Sequence, residues 1–69
     1  LLRDRLDLAV GSAVRASGDA GLLARWLSTD MGAADAEAVE ALGRLAGRGD
    51  PRYLAARAAL AAAERGLLV

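Results

Sequence analysis

The 69-residue chain has no Cys and no His, so disulfides, thiolate metal sites and the usual structural zinc ligands are all excluded. Lysine is absent too, and the nine basic residues are all Arg, balanced by nine Asp and Glu for a formal charge of zero. That balance removes the electrostatic surplus that most nucleic-acid binders and membrane-surface helices carry. Phe and Ile are missing as well, and Trp26 and Tyr53 are the only aromatic residues. No apolar run approaches the roughly 20 residues needed to span a bilayer. The longest is Ala58 to Ala63.

What is present is mostly small. Hydrophobic residues make up 55% of the chain, but alanine is the commonest of them, so the apolar area per residue is low. A chain of this length buries only about 60% of its unfolded surface. Against an ordering cost of roughly 1.5 kcal/mol per residue, such burial leaves an isolated domain close to zero net stability. Residues 1–69 are therefore expected to form a single small helical domain, a piece of a larger protein, that gains stability by self-association or by packing on another domain. The all-Arg, Ala/Gly/Leu/Val-rich composition points to a GC-rich bacterial genome, and a cytoplasmic location is the expectation.

Periodicity places four helices. Leu2, Leu6, Ala9, Val10 and Ala13 recur at helical spacing, which predicts a first helix over 1–17 with Gly11-Ser12 as its weak point. Gly18 then serves as a left-handed terminator, and Asp19 as the cap of a second helix over 20–28. Ser28-Thr29-Asp30-Met31-Gly32 reads as a turn. A third helix is predicted over 33–46, with Asp35, Glu37 and Glu40 toward its start and Arg44 near its end, the order that complements the helix dipole. Gly47 closes it, and Asp50-Pro51 opens a fourth over 51–65, which Gly66 is expected to end. The fold class is all-α, a compact four-helix bundle or orthogonal array. Its core is predicted from Leu22, Leu23, Trp26, Leu27, Val39, Leu42, Leu45 and Leu54.

Catalytic chemistry is hard to place. The hydroxyls are Ser12, Ser17, Ser28, Thr29 and Tyr53, and none has an evident partner base. The dipole alone accounts for the acidic residues of helix three, so no catalytic residue, metal ligand or cofactor is expected. Ser28-Thr29-Asp30 reverses the Asp-Ser order at which acyl carrier proteins accept their prosthetic arm, and reads as turn chemistry. Arg48-Gly49-Asp50 spells an adhesion tripeptide, but a terminator, a linker and a cap explain it more simply.

Two functional readings remain. The first is a non-catalytic protein-interaction module for docking, dimerisation or regulation. Its contact surface would be Tyr53, Ala56, Leu60, Ala63, Leu67 and Leu68 on the alanine-rich last helix, where small side chains let another helix approach closely. The alternative is a DNA-binding or effector-binding segment of a transcription regulator, with Arg44, Arg48, Arg52 and Arg57 on phosphates. A recognition helix made largely of alanine cannot form bidentate contacts with bases, so a protein partner or self-association is expected rather than nucleic acid, membrane or a small-molecule substrate.

Overall fold

The computed structural model describes the backbone of residues 2–67 and the side chains of residues 8–66. Four helices follow one another, α1 (Leu2–Ala16), α2 (Ala20–Leu27), α3 (Ala36–Ala46) and α4 (Pro51–Leu67), with no strand among the described residues. None of these helices is long and apolar enough to cross a membrane.

Local chemistry sets the boundaries. Gly18 takes φ +67°, and the Asp19 side chain accepts the Leu22 N–H at 3.2 Å, so the first two helices are separated by a left-handed residue and a side-chain cap. Asp19→Ala is expected to cost about 1 kcal/mol, the usual worth of such a cap, read as a fall in the thermal midpoint. At the far end of α2, Ser28 and Thr29 turn their hydroxyls back onto the carbonyls of Ala24 and Trp26, and Thr29 Oγ1 accepts from the Gly32 N–H. These bonds prolong the turn through Ala34.

Consequently α3 starts at Ala36 rather than at residue 33. Asp35 is its N-cap, outside the helix, with Oδ1 accepting the Ala38 N–H at 3.1 Å. Gly47, at φ +94°, ends α3, and Asp50 caps α4 by accepting the Arg52 N–H at 2.8 Å. Gly66 does not end α4, which continues to Leu67. A glycine inside a helix costs only about 1 kcal/mol, too little to stop one that is otherwise almost all alanine.

The helices form a flattened body of 37 × 34 × 14 Å. α2 and α3 occupy its middle. α1 and α4 each pack against both of them, and not against each other among the described residues. The buried core is Leu23, Ala38, Val39, Ala41, Leu42 and Tyr53, with Val14, Trp26, Leu27, Ala56 and Leu60 half-buried around it.

Three expected core residues lie elsewhere. Leu22, Leu45 and Leu54 are 42%, 50% and 53% exposed. On α2 and α4, which bury one residue each among those described, a residue adjacent in sequence to the buried one is rotated by about 100° off it. Leu22 stands beside Leu23 in this way, and Leu54 beside Tyr53. A four-helix bundle with a closed centre would have covered them.

Candidate interaction surfaces

Tyr53, Ala56, Leu60 and Ala63 do share one stripe of α4, but over its first three turns the stripe faces inward. Tyr53 is buried, and Ala56 and Leu60 pack against the core. Tyr53 is therefore a core residue and not a partner contact. Its ring is admitted by Gly43 of α3, where a Cβ would lie only 2.6 Å from Tyr53 Cε1. Ala63 is exposed, because α4 outlasts its neighbours: at 1.5 Å per residue it runs roughly 25 Å against about 12 Å for α2. The side chain of Leu67 and the whole of Leu68 lie outside the described residues. Alanine on every side of α4 gave no phase from which the sequence could tell its inner face from its outer one.

The outward side of α4 forms a groove against the end of α2. Ala24, Leu27, Ser28, Arg52, Ala55, Ala56 and Ala59 line it. Five of these seven are apolar, and four of the five are alanine, so a helix lying in the groove would meet backbone almost directly.

A second depression lies on the opposite side of α2, between α1 and the turn that precedes α3. Leu8, Gly11, Arg15, Trp26, Met31, Ala34 and Asp35 surround it. Its floor is a small polar network centred on Asp35, whose side chain is only 11% exposed. Asp35 Oδ2 accepts from Trp26 Nε1 at 2.8 Å and from Arg15 Nη1 at 2.5 Å, while Oδ1 caps α3. Burial by itself would raise the Asp35 carboxyl. The bonds from the Trp26 indole, the Ala38 amide and Arg15, together with the Arg15 charge, outweigh burial and hold the carboxyl below its ordinary value of 3.8.

This network was not visible in the sequence, where Asp35 is one of several acids at a helix start and Gly11 a weak point of α1. The available signal was the lone Trp: a half-buried indole needs an acceptor, and Asp35 is the acidic side chain that follows the turn.

The arginine cluster is partly committed within the fold. Arg52 donates to both carboxylate oxygens of Asp50, from Nε at 3.1 Å and from Nη2 at 3.0 Å, and these bonds hold the Asp50 carboxyl below its ordinary value. Arg57 donates to the Tyr53 hydroxyl at 2.9 Å. Arg44 and Arg48 stand exposed.

No curated protein and no solved structure matches the chain. A family model does, the third C-terminal helical domain of YTH3-like proteins, and it matches residues 19–68, beginning at the Asp19 cap of α2 and taking in all of α2, α3 and α4. With more than two-thirds of its length matched, the chain belongs to the family of the third C-terminal helical domain of YTH3-like proteins.

Proposed function

We propose that this chain is a non-catalytic interaction module of a bacterial cytoplasmic protein, a thin helical layer that docks a neighbouring helix into the groove between α2 and α4. The observation that carries this reading is the lining of that groove, where Ala24, Ala55, Ala56 and Ala59 stand beside Leu27. Outside the groove, Leu8, Val10, Leu22, Met31, Leu45 and Leu54, spread over the four helices and the turn before α3, are each more than 40% exposed.

The partner we favour is another C-terminal helical domain of a YTH3-like protein, since the family is described as the third of these. Alanine at positions 55, 56 and 59 lets such a partner's helix come within about 8 Å, at the close end of helix packing distances.

Calorimetric titration of the chain with those companion domains tests the reading. Binding is expected, and Ala59→Glu, on the exposed wall of the groove, is expected to weaken it at least about tenfold while leaving the melting temperature unchanged, since surface substitutions are usually near neutral. Absence of binding, or equal binding by the Glu variant, would remove the groove from consideration.

A further inference from the structure

The six buried core side chains all come from α2, α3 and α4. Among the described residues, α1 places no side chain in that set; Val14 packs against its edge. The family match likewise begins only at Asp19, after α1 has ended. Among the described residues, then, the fully buried core is supplied by three helices, with α1 packed at its edge.

α1 nonetheless meets that unit through a specific set of residues. Leu8, Gly11 and Arg15, at positions i, i+3 and i+7, share one face of the helix and line the depression around Trp26. Gly11 is buried there, and a Cβ on it would stand 2.9 Å from Trp26 Cζ2, so only glycine lets the α1 backbone lie against the indole. One turn further on, Arg15 reaches Asp35, with Glu37 at 3.7 Å as a second acid. Leu8 itself is 72% exposed, Ala9, Val10, Ser12, Ala13 and Ala16 are exposed, and Val14 is half-buried against the core. Met31, 57% exposed, extends the apolar rim past the helix.

We propose that Trp26, Met31, Ala34 and Asp35 form a receptor for a helix bearing Leu, Gly and Arg at positions i, i+3 and i+7. α1 is its occupant in cis, and it leaves without unfolding the three-helix unit. The glycine admits the indole, the arginine finds the Asp35 carboxylate, and the leucine stands at the rim with Met31. This surface shares no residue with the α2–α4 groove, so the two readings stand or fall separately.

Amide hydrogen exchange on the full chain tests the proposal. Helices that open locally exchange faster than the core they rest on. Amides of residues 8–16 are expected to exchange at least roughly tenfold faster than those of 39–43. Arg15→Met and Gly11→Leu should speed the α1 amides by a further factor of about ten and leave the α3 amides within about twofold. In Gly11→Leu the emission of Trp26, the chain's one tryptophan, should move to the red. A peptide of residues 1–17 at millimolar concentration, the range suited to a segment of marginal helicity, should move it back. One common protection for α1 and α3 in the unsubstituted chain, or equal acceleration of both in Arg15→Met, would overturn the proposal. A peptide without effect would overturn the receptor.

Discussion

Asp35→Ala is expected to lower the melting temperature by roughly 10–25 °C, which corresponds to a loss of about 2–4 kcal/mol in a domain of this size. Three effects combine at this one side chain. Losing the cap of α3 costs about 1 kcal/mol. Leaving the Trp26 N–H half-buried without its acceptor costs about 1–3 kcal/mol. Arg15 also loses its partner, and α1 its polar attachment. Since a chain of this length is only marginally stable, the substitution removes a large share of its stability.

Asp35→Asn separates the contributions. Asn has a single side-chain oxygen, so it keeps either the Ala38 cap or the indole acceptor but not both, and it loses the ion pair; a destabilisation smaller than that of Ala is expected. Equal midpoints for the unsubstituted and Ala chains in thermal denaturation followed by circular dichroism would show that the network contributes nothing.

The same carboxyl gives a pH dependence. Its folded-state pKa lies below the ordinary 3.8, so the folded chain holds the deprotonated form more strongly than the unfolded chain does. Its contribution is fully present above the unfolded value and is lost as pH falls through the lower folded value. The stability difference between the unsubstituted chain and Asp35→Asn is therefore expected to be constant near neutrality and to shrink below about pH 4. A difference that grows on acidification would contradict the assignment.

The second large effect lies where α3 meets α4. Tyr53 is among the largest fully buried side chains, and its removal in Tyr53→Ala is expected to cost about 3–5 kcal/mol. Gly43→Ala is the more informative change. In an open helix it would stabilise by up to about 1 kcal/mol, but here the new methyl meets the Tyr53 ring, with Cε1 at 2.6 Å and Cδ1 at 2.9 Å. A net destabilisation of about 1–3 kcal/mol is expected instead.

In a Tyr53→Leu background the ring carbons are withdrawn, and the sign should reverse, so that Gly43→Ala becomes stabilising. A double-mutant cycle in denaturant is expected to show a coupling of about 1–3 kcal/mol between the two positions. Additive effects would show that the close approach does not matter.

The two sites differ in how much of them the sequence reveals. Gly18-Asp19 and Gly47 through Pro51 mark helix ends by backbone chemistry that acts within a few residues, so the four helices and their order are legible from the chain alone. Leu23, Val39 and Leu42 are readable as core for a related reason: each lies on a helix whose apolar spacing has a clear phase. α4 has no such phase. Its alanines are equally compatible with facing in or out, and only the docking of the Tyr53 ring on Gly43 turns the Tyr53–Leu60 stripe inward.

Leu22, Leu45 and Leu54 show the complementary limit. Helical spacing makes them apolar neighbours of buried residues, but exposure depends on whether another helix lies over them, and their exposure shows that none covers them.

The residues that the chain holds, and those it lacks, thus determined an all-helical domain with marked ends, built on small side chains and without disulfides. Tertiary structure decided which stripe of each helix is inside, joined Arg15, Trp26 and Asp35 across 20 residues of sequence, and set Gly11 against the indole. Those contacts depend on the distance between helices in space, and helix spacing is fixed by side-chain volume at the crossing points rather than by local propensity.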